Sequence, residues 1–321
     1  MPGFTTHYLF GLNTYRTLNC HSLKQTIKGS HAAYSLGLQG PDVFFYFLPS
    51  YAIHHNNIGA VAHTDRTGVF LKHLLDSRKL FQKPEERRIA ESYVAGFLGH
   101  YTLDTHCHPY VYWKTDFSEK NGRYHSCHMS LETDIDKELL QSCKHLLPSA
   151  FRQDNTIRLT RLESRIVASI LHYVYQKTYP ELNIQYITMR AAIRSMQLGV
   201  KYLHDSSGKK KTIGGKLETL LLGYPLLTTL IASDTLTVHT DPLNLLHEPW
   251  KNPWEQSQLS TDSFLDLMEQ AQAAYLAFLT DLDSLFQTPL RTRAEKAQTD
   301  ALLDKLGSKS YHSGLDCSIP S

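Results

Sequence analysis

Cysteine is scarce in this chain, and what there is does not pair. Five stand among 321 residues, Cys20, Cys107, Cys127, Cys143 and Cys317, an odd number without a Cys-x-x-Cys spacing. That excludes a disulfide scaffold and fits reduced thiols in a cytoplasmic protein. Long hydrophobic runs are missing too. No stretch approaches the about 18 consecutive apolar residues that a membrane span requires. Met1 to His7 shows no basic stretch leading into an apolar one, so no secretory leader is expected. An excess of one charge is lacking, since 33 basic and 31 acidic residues leave +2. The nearest thing to a basic block, Lys209-Lys210-Lys211 beside Gly208, reads as a solvated loop, and no nucleic-acid partner is expected. Strand-like alternation is nearly absent, the short aromatic run Val43 to Leu48 apart.

What the chain does have is helical periodicity. A hydrophobic content of 41% with 11% aromatics is enough to bury a core. The spacing predicts helices over Ala60–Leu75, Glu85–His106, Arg158–Gln176 and Phe264–Phe286. Joints are expected at Gly37 to Pro41, at Tyr224-Pro225 and at Pro249 to Pro253. No linker divides the chain. The expectation is a single all-α domain over residues 1–321, a multi-helix bundle of roughly eight to ten helices. Its chemistry belongs to residues 1–135 and the helical remainder to 136–321, because thirteen of the 18 histidines stand at or before His145.

Within that first part, His100, Asp104 and His108 fall four apart in Gly99-His-Tyr-Thr-Leu-Asp-Thr-His-Cys-His-Pro109. Residues at this spacing share one helix face. About 12 Å of axial rise separates the first from the last, too long for one ion and suited to two neighbouring ones. His128 and Glu132 repeat the imidazole–carboxylate spacing. His7 lies near the amino terminus, Asp42 sits in the tight Gly40-Pro-Asp turn, and His63 stands near the start of the helix from Ala60. Imidazoles with carboxylates and no thiolate motif suit zinc in a hydrolytic site. Cys107 and Cys127, next to two of these residues, are alternative soft ligands. Phe44, Phe45, Tyr46, Phe47 and Tyr51 are read as core or as the lining of a substrate entrance.

The series His7, Gly-Pro-Asp42, His63, His100-x-x-x-Asp104-x-x-x-His108-Pro and His128-x-x-x-Glu132 resembles the bacterial zinc-dependent phospholipase C family, whose fold is shared by single-strand nucleases. The resemblance runs over about the first 135 residues, the second half matching only as helices of suitable length. It implies two or three zinc ions in a helical bundle. Asp42, His63, His100 and Asp104 would hold the first, and His108, His128 and Glu132 the second. His7, Asp104 and the amino-terminal residue's own amine and carbonyl would hold the third. This chain departs from the family in that His7 follows its first residue sooner. The stretch from Asp42 to His63 is also longer and contains His54 and His55 as alternatives to His63.

The function expected from residues and resemblance together is phospholipase C-like, zinc-dependent hydrolysis of a phosphoric ester. Adjacent zinc ions acidify water and clamp the phosphoryl oxygens, with Asp42 as ligand or general base orienting the attacking water. Phospholipid is among the expected substrates. The alternatives are a phosphomonoesterase or nuclease on the same cluster, or a helical zinc-binding protein without turnover.

Overall fold

In the computed structural model, which describes residues 3–50, 57–116, 122–235 and 237–317, the chain builds around a single long helix. Helix α1 (Phe4–Thr17), α2 (His21–Gly29) and α3 (His31–Gly37) lead into a 3-10 turn at Gly40–Phe44. Then come α4 (Ile58–Thr64), α5 (Thr67–Asp76), α6 (Pro84–Lys114) and α7 (Gly122–Lys144). The short α8 (Gln153–Thr156) precedes α9 (Arg161–Thr178), α10 (Tyr186–Leu203) and α11 (Lys209–Leu222). A two-stranded antiparallel hairpin, β1 (Trp250–Asn252) and β2 (Glu255–Ser260), pairs Trp250 with Ser260. Helices α12 (Phe264–Gln287) and α13 (Arg293–Leu306) follow. Among the described residues no helix is long and apolar enough to cross a membrane.

Helix α6 starts where its sequence allows, with Pro84 in the first turn and Glu85 and Glu86 beside the partly positive helix end. From Ile89 to Tyr112 nearly every side chain is buried, so this helix is the axis of the molecule rather than an amphipathic face. Helix α3 crosses it most closely. A Cβ on Gly96 would run into the Tyr34 carbonyl oxygen, so glycine is what permits that approach. Helices α1, α2, α9 and α12 and strand β1 also pack on α6. Capping boxes Thr160/Glu163 and Ser263/Asp266 satisfy the first amides of α9 and α12. Each of these two helices turns an apolar face inward: Ile166, Ile170 and Val174 on α9, and Leu267, Ala271, Tyr275 and Leu282 on α12. The buried apolar residues form one continuous cluster from Phe4 to Tyr311.

The all-α architecture holds, and several boundaries differ from the sequence reading. Thirteen helices stand among the described residues, several of them too short to show a periodic signal. The helix expected over Ala60–Leu75 breaks at Arg66, whose φ of 50° lies in the left-handed region. Its guanidinium is held by Asp65, Glu181 and the Thr178 carbonyl, which fixes that unusual backbone. The helix expected to stop at His106 continues through Pro109 to Lys114, because burial against the hairpin outweighs the lost amide. The run Val43 to Leu48 is no strand; Val43 and Phe44 are buried in the 3-10 turn. Lys209, Lys210 and Lys211 open helix α11 instead of lying in a loop. The expected joint at Pro249 to Pro253 carries part of the β hairpin.

Candidate metal centre

The site grows from α6. His100, Asp104 and His108 lie on one face of this buried helix, each with no exposure at all. Against that face the 3-10 turn at Gly40–Phe44 brings Asp42. Gly40 has a φ of 48°, and a Cβ there would strike the His100 ring, so the Gly-Pro-Asp sequence is what lets the carboxylate approach. The last turn of α4 supplies His63, α1 supplies His7, and α7 supplies His128 and Glu132. Asp136 on α7 accepts from the amides of Thr5 and Thr6 at 3.0 and 2.7 Å, anchoring the start of α1 so that His7 faces the centre.

The atoms that converge are those a cation takes. His63 Nε2 is 3.2 Å from Asp42 Oδ1, and His100 Nε2 is 3.1 Å from Asp104 Oδ2. His63 Nε2 is also 3.8 Å from Asp104 Oδ2. Asp104 turns its other oxygen to His7, with Oδ1 3.2 Å from Nε2. The rings of His7 and His100 stack at 4.3 Å. Farther along α6, Glu132 Oε1 lies 3.0 Å from His128 Nε2 and 4.0 Å from His108 Nε2. Three sets of ligand atoms close to within 4.8 Å: His7 with Asp42 and His100, His63 with His100 and Asp104, and His108 with His128 and Glu132.

The other ring nitrogens are tied down. Nδ1 of His63 donates to the Gly59 carbonyl at 2.7 Å, that of His100 to Leu38 at 3.2 Å and that of His108 to Tyr311 at 2.6 Å. His128 Nδ1 pairs with the Tyr124 hydroxyl at 3.1 Å. These bonds set the tautomer that presents Nε2 to the centre. There Nε2 of His7, His63, His100 and His108, Oδ1 of Asp42 and both oxygens of Asp104 are buried without a hydrogen-bond partner. Buried polar atoms normally find partners, so such a convergent set fits divalent cations with nitrogen and oxygen ligands.

Electrostatics agrees. Burial works against charge on Asp104, but its imidazole neighbours, His100 foremost, outweigh it and hold the carboxyl well below its usual range. Burial pushes the imidazoles of His108 and His128 well down, keeping them in the neutral form that binds metal. Burial, reinforced by Asp42, Asp104 and Asp136, pushes the Glu132 carboxyl up, a cost that a cation beside it would reverse.

The structure therefore brings together all eight residues singled out from sequence: His7, Asp42, His63, His100, Asp104, His108, His128 and Glu132. His54, His55, Tyr51 and the first two residues lie outside the described residues. Neither cysteine joins a ligand set: Cys107 is buried, and Cys127 pairs with His239 Nε2 at 3.4 Å. Of the aromatic run, Phe44 packs on Tyr175 at 5.0 Å within the core, while Phe45 lies 5.6 Å from the His63 ring. Sequence reasoning missed the segment after α13. There Tyr311 donates its amide to the His63 carbonyl at 2.9 Å, and its ring lies 5.0 Å from that of His63. The next residue, His312, points its ring at His63 and His108. Ser308-Lys-Ser-Tyr-His-Ser carries no ligand spacing that could have flagged it.

A family model described as zinc dependent phospholipase C matches residues 6–189, a stretch containing all eight converging residues but not Tyr311 or His312. No curated protein and no solved structure matches the chain.

Proposed function

Because the chain belongs to the zinc-dependent phospholipase C family, we propose that it hydrolyses phosphodiesters, phospholipids among them, at a centre of two or three zinc ions. The observation that carries this reading is the buried convergence of imidazole Nε2 and carboxylate oxygens, without hydrogen-bond partners, on one face of α6. Asp42, His63, His100 and Asp104 would hold the first ion, and His108, His128 and Glu132 the second. His7 with Asp104 would hold a third. When bound, zinc lowers the pKa of water and offsets charge on phosphoryl oxygens.

The chain's own residues do the rest. Asp104 divides its two oxygens between His7 and His100 and would so be a ligand common to neighbouring ions. Asp42, pinned by Pro41 at the edge of the centre, orients the attacking water. The carbonyls of Leu38, Gly59 and Tyr311 keep three imidazoles from rotating. No covalent intermediate on a side chain is required.

The test is a panel of substrates for the zinc-loaded protein: phosphatidylcholine vesicles, a soluble phosphodiester, a phosphomonoester and single-stranded DNA. Release from the phosphodiesters, abolished by a chelator and restored by zinc, is the expected result. Turnover of the monoester alone, or of nothing, would overturn the reading, and turnover of DNA alone would remove phospholipid from it.

A further inference from the structure

The mechanism above leaves one imidazole at the centre without a task. His312 follows Tyr311 in the strap between α13 and Cys317, outside the stretch that matches the family. The strap is held firmly. Tyr311 is fully buried and bonds both His63 and His108 through its backbone. Ser310 and Leu315 close the turn with an amide–carbonyl bond of 2.8 Å. With its neighbour so fixed, His312 is directed at the centre. Its ring centroid lies 5.7 Å from that of His63, 6.1 Å from that of His108 and 5.3 Å from that of Tyr112.

His63 belongs to the first set of ligand atoms and His108 to the second. A ring that neighbours both is near any molecule that bridges the two sets. His312 also differs from the ligand imidazoles. They are at most 4% exposed, whereas it is partly open to solvent, and it belongs to none of the sets that close within 4.8 Å. Tyr311 and His312 thus divide the labour of the strap: one fixes two ligands through its backbone, and the other keeps a partly exposed ring beside them.

We propose that His312 is a substrate-contacting residue, its imidazole N–H donating a hydrogen bond to a non-bridging oxygen of a phosphoryl group placed between the two ligand sets. The assignment rests on the phosphoester reading given above. It requires only a ring N–H, which imidazole has in either protonation state.

Binding of inorganic phosphate tests it. Zinc-loaded wild type, His312→Ala and His312→Gln are titrated with phosphate in a calorimeter, after elemental analysis of each and a check of thermal unfolding. The alanine variant should keep its full zinc content and lose phosphate affinity by about tenfold or more, the worth of a hydrogen bond to a charged group. Glutamine, which keeps a donor, should recover part of the loss, and it stands in should the alanine variant not fold. Unchanged affinity in the alanine variant would overturn the proposal. So would loss of a zinc ion, which would make His312 a ligand, or absence of phosphate binding by the wild type. Loaded wild type that binds phosphate through His312 but turns over no ester would leave this assignment standing and remove the hydrolase reading.

Discussion

Asp104 Oδ1 lies 3.2 Å from His7 Nε2, a contact that joins the central helix to α1 inside a fully buried site. Since Oδ2 of the same carboxylate faces His100 at 3.1 Å, Asp104 reaches ligand imidazoles on both sides. Asp104→Asn keeps the shape and removes the charge. It should cost at least one zinc per chain and lower phosphodiester hydrolysis by about a hundredfold or more, beyond what loss of an outer partner does. Elemental analysis and initial rates measure both. Full zinc content in the variant would make Asp104 an ordinary buried polar residue.

Removing the metal should loosen the fold as well as stop turnover. Without cations, the carboxylates of Asp42, Asp104 and Glu132 stay buried together. Zinc at a hundred times its dissociation constant should add about 3 kcal/mol of stability per independent ion. Unfolding of chelated and reloaded protein by urea reads this difference, and identical curves would contradict it.

A cluster remote from the centre should respond to mutation without touching the metal. Arg78 is buried, 3.3 Å from Glu91 and 3.5 Å from Glu295, and it donates to the Leu285 carbonyl. Arg78→Met leaves Glu91 without its guanidinium, while Lys79 still faces Glu295 at 3.0 Å, and breaking a buried pair costs about 3–5 kcal/mol. Urea unfolding should show that loss while zinc content stays unchanged. A cost near the about 1 kcal/mol of a surface pair would be the contrary outcome.

His239 should give stability a pH dependence. Burial opposes its charge, but hydrogen bonds to Asp134 and Cys127 prevail and raise its pKa to about 9. A group whose folded pKa lies above the unfolded value of about 6.5 contributes fully below that pH and loses its contribution as pH rises through the folded value. The stability advantage of wild type over His239→Gln should therefore be largest at pH 6. It should shrink by about 2–3 kcal/mol by pH 10, through the window between the two pKa values. An advantage that does not change with pH would show that folding leaves the pKa of His239 where it is in the unfolded chain.

The parts of this molecule readable from sequence are those governed by local spacing. His100, Asp104 and His108 fall on one face because a helix repeats every 3.6 residues, and the same spacing aligns His128 with Glu132. Gly40-Pro41-Asp42 announces a tight turn through its own backbone chemistry. What remained hidden depends on distant contacts. The helix from Glu85 reads as ending at His106 until burial along α6 is known. Arg66 adopts a left-handed backbone that only its anchoring by Glu181 and Thr178 explains. The Tyr311–His312 strap reaches the centre from the far end of the chain, and no periodicity carries that information.

The central claim, that the face of α6 holds zinc, is tested most directly by a zinc-edge anomalous difference map from crystals of protein purified without chelator. One peak is expected among Asp42, His63, His100 and Asp104 and a second among His108, His128 and Glu132, with a third beside His7 at full loading. A map without peaks at these positions, after the crystals have been soaked in zinc, would contradict it.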